Sequence, residues 1–283
     1  MDLLIPRSFD KIIDLWLAED NPSINYHAYL TGASPITATL YCKDTGVVSG
    51  LAFFTRIFEK VDCTVEWLVK DGDFIKGSNL EKVTIAYVKG KACDILEGER
   101  IGLNIITHSS AISTHCHKFN ELKQKHGWKG KVAATRKTLP GLRLVEKMAV
   151  ISGGGDTHRY DLSSCLMIKD NHIKALGSIK NAIVKTREVL SFTSKVEVEC
   201  KNLKEGIEAI ENGADIIMLD NYEPANAAKD AQELKKIRPS IIIEISGGIT
   251  LENIEAYFNE NIDIISIGGL TQQTEKFDFS LKV

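Results

Sequence analysis

The stretch that decides the fold is KVEVECKNLKEGIEAIENGADIIMLD, residues 195–220. It contains two short apolar runs, 195–199 and 215–220, separated by a helix-like segment at 203–211. A strand, a helix and a second strand in this order form a βαβ unit, in which the two strands lie parallel and the crossover is right-handed. The stretch therefore predicts a parallel sheet covered by helices.

The same alternation extends over the second half of the chain. Further strands are predicted at 131–135, 165–169, 241–246 and 262–268, and further helices at 178–190, 223–237 and 251–258. Six parallel strands over roughly 140 residues fit either a closed α/β barrel or an open doubly wound sheet. Polar residues end every strand, which favours the barrel because its C-terminal strand ends meet at one mouth. Charged strand ends are also common in ordinary loops, so the open sheet stays an alternative.

The first hundred residues predict a mixed layer of helices and strands. Residues 9–17 are helix-like, and three segments alternate apolar and polar residues as half-buried strands do. These segments are 36–43, 63–70 and 82–90. Apolar residues then recur at helical spacing over 95–118. We expect an α+β layer domain followed by a long connecting helix.

Composition and charge exclude several classes of function. The 283 residues are 43% apolar and 26% charged, with a formal net charge of −3, which argues against a general nucleic-acid or membrane-surface binder. No apolar run approaches the roughly 20 residues needed to span a bilayer, and residues 1–21 lack the pattern of a secretory signal. Six cysteines without a CxxC pair suit reduced thiols, and His115-Cys116-His117 has no second ligand pair for a metal. We expect a soluble, cytoplasmic protein with no nucleic-acid or membrane partner.

Basic residues are concentrated where the predicted barrel mouth would lie. Residues 129–174 contain nine lysines and arginines but four acids, although the whole chain is acidic. Arg136, Lys137 and Lys169 follow predicted strands, and His158-Arg159 follow a triple glycine. Because arginine offers paired donors that match carboxylates and phosphates, this content predicts a substrate with several negative charges.

Glycine turns and acids complete the candidate site. ISGGI (245–249) lies between a predicted strand and a predicted helix, where backbone N–H groups form a phosphate cradle. SGGGD (152–156) matches neither the dinucleotide fingerprint nor the P-loop. We interpret Glu197 as a buried partner of a lysine. Glu199 and Asp220, at consecutive strand ends, predict ligands for Mg²⁺ or sugar hydroxyls, or groups that stabilise a developing cation.

In order and spacing, the motifs of this chain resemble those of the quinolinate phosphoribosyltransferase family. The resemblance is strong over 131–283, and weaker at GERIGLN (98–104) and VEWLVKDG (65–72). The closing DFSLKV is similar to eukaryotic members. The motifs that carry it are ATRKTLPGLRLVEKMAV (134–150), GGGDTHRYDLSSCLMIKDNHI (153–173), KVEVEC (195–200), GADIIMLDN (213–221), ISGGI (245–249) and IDIISIGGLTQ (262–272).

The resemblance implies a fold and a reaction. The fold is a six-stranded parallel α/β barrel of the TIM-like kind with an N-terminal α/β sandwich domain. We expect the sandwich at 1–112, joined by the C-terminal segment 270–283, and the barrel at 113–269. The reaction joins quinolinate to phosphoribosyl pyrophosphate (PRPP) and releases nicotinate mononucleotide, pyrophosphate and CO₂, a step of NAD biosynthesis that requires Mg²⁺.

The resemblance also assigns residues. Those that bind quinolinate carboxylates and neighbouring phosphate oxygens are Arg136, Lys137, His158, Arg159 and Lys169. Glu199 and Asp220 match the acids around the PRPP ribose and its Mg²⁺, held partly through the substrate. The phosphate turns are Ser246, Gly247, Gly248 and Gly268, and the catalytic set is Lys137, Lys169, Glu199 and Asp220. Arg100 matches an arginine that reaches a neighbouring subunit, so a homodimer is the minimal active unit, alone or within a hexamer of three dimers.

Two rival functions belong to other classes. A phosphoribosyltransferase that acts on nicotinate, or another acid, without decarboxylation needs no clamp for a second carboxylate, so the concentration of cations argues against it. A non-catalytic binding protein with this fold would be expected to have lost an acid or a cation, yet Lys169, Glu199 and Asp220 are all present.

Overall fold

A computed structural model describes residues 2–283. Met1, the first residue of the predicted sandwich domain, lies outside the described residues. Within 2–283, none of the helices combines the length and the apolar character needed to cross a lipid bilayer. The chain divides into two compact units. The first comprises residues up to His117, Thr138–Gly154 and Gln273–Val283; the second comprises Lys118–Lys137 and Gly155–Gln272.

The strands and helices follow one another along the chain without long gaps. The strands are β1 Pro35–Cys42, β2 Thr45–Val47, β3 Thr64–Trp67, β4 Phe74–Lys76, β5 Val83–Lys91, β6 Lys131–Ala133, β7 Leu166–Ile168, β8 Val196–Cys200, β9 Ile216–Asp220, β10 Ile242–Ser246, β11 Ile264–Ser266 and β12 Phe279–Lys282. The α-helices are α1 Asp10–Asp20, α2 Tyr26–Thr31, α3 Leu51–Lys60, α4 Ala92–His126, α5 Arg143–Ser152, α6 Asp170–Leu176, α7 Ile179–Arg187, α8 Leu203–Glu211, α9 Pro224–Ile237 and α10 Gly269–Gln272. Short 3₁₀ helices lie at Asp2–Leu4, Arg7–Phe9 and Ile254–Tyr257.

The first unit is built around an antiparallel sheet in the order β12-β1-β5-β3. Strand β12, near the end of the chain, pairs with β1, so that Leu40 lies opposite Leu281 on one side and Ala86 on the other. Phe54 and Phe58 of α3 are fully buried in the core that covers this sheet. An antiparallel sheet with one face packed on helices explains the alternation of apolar and polar residues in β1.

The second unit contains a parallel sheet of six strands in the order β6-β11-β10-β9-β8-β7, surrounded by helices. In the chain between β6 and β7, the segment around Asp156 pairs with the β6 edge: Asp156 exchanges backbone hydrogen bonds of 2.8 Å with Val132 and Ala134. Strand β9 is buried on both faces, as expected for a parallel strand between helices. The prediction of a six-stranded α/β barrel with a separate N-terminal sheet domain is confirmed. The predicted domain boundaries stay a prediction.

One predicted helix is wrong. Residues 251–258 form a turn and a 3₁₀ helix, Ile254–Tyr257, in place of an α-helix. The Asn253 side chain accepts a hydrogen bond from the Thr250 N–H (2.8 Å) and donates to the Gly248 carbonyl (2.9 Å). An asparagine that satisfies nearby backbone groups in this way competes with the helical ladder. The glycine turn at 245–249 is therefore not followed by an α-helix N-terminus.

Candidate active site

A cavity of about 320 Å³ lies at the C-terminal ends of the barrel strands. Eight of the residues predicted from the sequence line it: Arg136, Lys137, His158, Arg159, Lys169, Glu199, Asp220 and Ser246. Residues that the sequence did not assign to the site also line it: Thr135, Met167, Met218, Glu244 and Ser266. The barrel brings these side chains together because parallel strands carry their C-terminal ends to the same face.

The cations of the cavity differ in what they contact. The Nε atom of Arg136 is buried and has no hydrogen-bond partner among the described residues. Arg159 donates from Nη1 to the Cys165 carbonyl (3.2 Å) and from Nη2 to the Met167 sulfur (3.4 Å). A buried guanidinium nitrogen without a protein acceptor is costly, so Arg136 is suited to binding an anion from outside the chain.

Lys169 follows β7 and reaches across to β8. Its Nζ lies 2.6 Å from Glu199 Oε2, with 46% of the lysine side chain and 13% of the glutamate side chain exposed. Asp220 ends the next strand. Burial, and then the negative charge of Glu199, raise the pKa of Asp220 above its ordinary value. Two carboxylates that repel each other in a half-buried position supply the oxygen donors that Mg²⁺ prefers, so these residues fit the metal.

His158 and Glu244, which line the cavity, form with Glu197 a group that we call the buried triad, whose ligand atoms all lie within 4.8 Å of one another. Both glutamates are fully buried. Burial, and then the charge of Glu244, raise the pKa of Glu197 to about 8. The interpretation of Glu197 as the partner of a lysine is wrong, since its carboxyl group forms no ion pair with any described residue and faces a second acid instead.

The predicted phosphate turns lie beside the cavity. Gly247 and Gly248 have φ angles of +98° and +62°, which glycine adopts without strain. A Cβ atom on Gly247 would collide with Asn221, whereas a Cβ on Gly248 would meet no atom within 4 Å. A Cβ on Gly268 would lie 2.8 Å from Lys137 Cδ. Gly248 thus leaves open space above its backbone, while Gly247 and Gly268 allow close packing.

Arg100 lies in the other unit, on α4, with its side chain exposed. It forms no ion pair with Glu97 or Glu99, and Glu97 instead accepts a hydrogen bond from Asn25 (3.2 Å).

Sequence reasoning missed Glu244 and Ser266. Glu244 accepts hydrogen bonds from Ser266 Oγ (2.6 Å) and from His158 Nε2 (2.9 Å). The signal for Glu244 was present in IIIEIS (241–246), where an acid interrupts an apolar strand. A lone charge in such a run is expected to be paired or functional, because an unpaired buried charge is very costly.

Fold and site place the chain in the class of α/β-barrel enzymes that act on substrates with several negative charges. The C-terminal domain family of quinolinate phosphoribosyl transferase matches residues 112–282, and the N-terminal domain family matches 26–110. The chain belongs to the quinolinate phosphoribosyltransferase family.

Named relatives and a solved structure agree with this assignment. The chain is 46% identical to the carboxylating nicotinate-nucleotide pyrophosphorylase of Dictyostelium discoideum, covering 99% of this chain and 97% of that protein. It is 43% identical to the human enzyme of that name, covering 99% and 93%. The crystal structure of NadC from Streptococcus pyogenes superposes with a TM-score of 0.89 at 34% identity, covering 99% and 97%.

Proposed function

We propose that this chain is a carboxylating nicotinate-nucleotide pyrophosphorylase: it transfers phosphoribosyl from PRPP to quinolinate and releases pyrophosphate and CO₂ to give nicotinate mononucleotide for NAD biosynthesis. The observation that carries the proposal is the convergence of four cations and two adjacent carboxylates in one cavity of a chain of this family. Quinolinate is a dianion and PRPP carries several phosphates, so both substrates match this charge.

Arg136, Lys137, His158, Arg159 and Lys169 bind the quinolinate carboxylates and neighbouring phosphate oxygens. Support comes from the unpartnered Arg136 Nε and from the position of Arg159 and Lys169 on either side of β7. The pyridine nitrogen attacks C1 of the ribose as pyrophosphate leaves, and positive charge builds on the sugar. Once the nitrogen is quaternary, the 2-carboxylate leaves as CO₂, and the electron pair left on C2, beside the cationic nitrogen, takes up a proton. The cations of this set, Arg136, Lys137, Arg159 and Lys169, which we call the clamp, lower the barrier chiefly by holding the dianion in the right orientation.

Glu199 and Asp220 lie beside the ribose, where their negative charge stabilises the developing sugar cation. They would also hold Mg²⁺, partly through the substrate, and the metal would supply positive charge to the departing pyrophosphate. The open space above Gly248 supports a phosphate position on the backbone N–H groups of the Ser246–Gly248 turn, with Gly268 allowing Lys137 to lie close by.

Arg100 acts in trans in this proposal, in the mouth of a neighbouring subunit. Its exposure, without an ion pair to a described residue, supports this role. A homodimer is then the minimal active unit, alone or within a hexamer of three dimers, and the enzyme works in the cytoplasm.

The test is incubation with PRPP, Mg²⁺ and quinolinate labelled in the 2-carboxylate, with detection of labelled CO₂ and of nicotinate mononucleotide. We expect both products in equal amounts, and none after the metal is removed with EDTA. A parallel reaction contains nicotinate in place of quinolinate. Equal turnover of nicotinate would indicate the non-decarboxylating rival, and absence of turnover with either acid would indicate a binding protein.

A further inference from the structure

The buried triad is the feature that the proposed chemistry leaves unexplained. It consists of two fully buried carboxyl groups and an imidazole, on β8, on β10 and in the segment that follows the triple glycine, and two of its members line the cavity. A buried acid is retained only where hydrogen bonds or charge partners compensate for the loss of water. The hydrogen bonds made by these residues therefore indicate which neighbouring groups they orient.

The hydrogen bonds of His158 identify its tautomer. Nδ1 accepts a hydrogen bond of 2.7 Å from the backbone N–H of Arg159, so the ring proton of the neutral imidazole lies on Nε2. Nε2 in turn lies 2.9 Å from Glu244 Oε2 and donates to it. Because one nitrogen accepts and the other donates, a proton links His158 to Glu244, and His158 offers no free lone pair for a metal ion.

Glu244 is the fixed end of this chain of hydrogen bonds. One carboxylate oxygen accepts from His158, and the other accepts from Ser266 Oγ at 2.6 Å. With both oxygens occupied and the side chain fully buried on a central strand, Glu244 has little freedom to move. It fixes the orientation of the imidazole, in the way that an outer carboxylate orients a functional histidine.

The orientation of His158 determines the course of the chain at Arg159. His158 has a φ angle of +55°, a conformation that a non-glycine residue holds only when its surroundings impose it. The imidazole anchors the Arg159 backbone amide, and the guanidinium is held by Cys165 and Met167 of the β7 segment. Both the backbone amide and the guanidinium of Arg159 are thus held in place.

We propose that Glu244 is a positioning residue that acts through the imidazole of His158 on Arg159. This inference rests on the proposed function, in which Arg159 binds a quinolinate carboxylate. It assigns specificity for the dicarboxylate to a chain of hydrogen bonds from Ser266 through Glu244 and His158 to Arg159.

The test compares two variants of one residue. Glu244→Gln keeps an oxygen for His158, and the Ser266 hydroxyl can turn to accept from the amide. Glu244→Met keeps the length of the side chain but removes both acceptors. We expect Glu244→Met to raise the KM for quinolinate about tenfold or more while the KM for PRPP stays within about twofold, and Glu244→Gln to stay within about threefold for both.

Glu197→Gln is the matched control, since Glu197 is equally buried but forms no hydrogen bond to His158, and its KM values should match the wild type. Should Glu244→Met fail to fold, His158→Asn replaces it: asparagine tolerates positive φ and keeps an acceptor for Arg159 but cannot reach Glu244. It should raise the KM for quinolinate selectively.

Histidine ¹⁵N spectra give a second measurement that does not depend on turnover. We expect His158 as the Nε2–H tautomer both without and with quinolinate, and a loss of this preference in Glu244→Met. A change of His158 tautomer or its protonation on addition of quinolinate would overturn the proposal, as would equal effects of the two Glu244 variants. Absence of turnover in the wild type would overturn the proposed function, and the spectra of the free protein would still decide whether Glu244 orients His158.

Discussion

At the scale of single residues, the cavity contains two kinds of charged side chain. Some are paired with another side chain of the protein, and others have polar atoms that remain available to a ligand. Lys169 and Glu199 compensate each other across β7 and β8, at 2.6 Å. Arg136 keeps a buried nitrogen without an acceptor among the described residues. A site with both kinds of group can hold its shape before substrate arrives and still gain free energy from binding an anion.

Lys169→Ala should abolish most of the activity and leave the fold intact. The variant removes one cation of the clamp, for which a loss of about 2–4 kcal/mol of transition-state stabilisation, roughly 30- to 1,000-fold in rate, is expected. Steady-state kinetics with quinolinate and circular dichroism measure the two parts. Lys174→Ala is the control, because Lys174 is an exposed lysine that pairs with Asp170 on α6. Near-normal turnover in folded Lys169→Ala would refute the clamp.

The raised pKa of Glu197 predicts that the free energy of unfolding decreases as the pH rises. Burial, and then the charge of Glu244, raise its pKa from 4.5 to about 8. The folded state therefore binds more protons than the unfolded chain between about pH 5 and pH 8, and the free energy of unfolding decreases over that interval. Glu197→Gln cannot ionise and should flatten the decrease in urea titrations with EDTA present. Glu211→Gln, an exposed change on α8, should keep the wild-type slope; the same slope in Glu197→Gln would contradict the prediction.

At the scale of elements, the turn after β10 contains two glycines, Gly247 and Gly248, with different structural roles. Gly247 lies against Asn221, which itself has positive φ at the end of β9 and donates its backbone N–H to the Ser246 carbonyl. Gly248 faces open space. The turn is therefore fixed to the neighbouring strand through one glycine and exposes its backbone to ligand at the other.

Gly248→Asn should weaken PRPP binding without destabilising the protein. Asparagine tolerates positive φ, and its side chain would occupy the space that we assign to a phosphate. We expect a KM for PRPP about tenfold higher, an unchanged KM for quinolinate and an unchanged Tm. Gly213→Asn, another positive-φ glycine with open space around it, is the control and should leave both KM values alone. Equal loss for both substrates would point to a structural role of Gly248.

Gly247→Ala should act on stability instead. A Cβ at this position would run into Asn221, and alanine is strained at a φ of +98°. We expect the free energy of unfolding to fall by about 1–2 kcal/mol in thermal or urea unfolding. A variant as stable as the wild type would show that the turn can move away from Asn221.

At the scale of the whole molecule, a site completed by a second copy predicts complementation between inactive variants. Arg100→Ala and Lys169→Ala should each be nearly inactive because their defects lie in different chains of the same site. Unfolding, mixing and refolding them together gives mixed dimers with one intact site and one doubly damaged site. With random pairing, about a quarter of the wild-type activity should return. If tagged pull-down confirms mixed dimers and no activity returns, Arg100 does not act in trans.

The arrangement of strands and helices in the barrel could be predicted from the sequence because its signal is local. Each apolar run of five to seven residues, such as those at 195–199 and 215–220, and each helical repeat between them can be recognised from consecutive residues alone. The strand ends follow from the same reading, and with them the convergence of Arg136, Lys169, Glu199 and Asp220 at one mouth. The family was recognisable for the same reason, since its motifs are the strand ends themselves.

Tertiary structure alone decided which buried groups face each other. Glu197 and Glu244 lie 47 positions apart in the sequence, on strands that β9 separates, and nothing local announces that the two acids share a site with His158. The 3₁₀ helix at Ile254–Tyr257 likewise depends on where the Asn253 side chain finds its hydrogen-bond partners. Apolar periodicity predicts whether a residue is buried, because burial depends on which face of its own helix or strand the residue occupies. Pairing of charges and hydrogen bonds depends on the register between distant strands, and that register exists only once the sheet has formed.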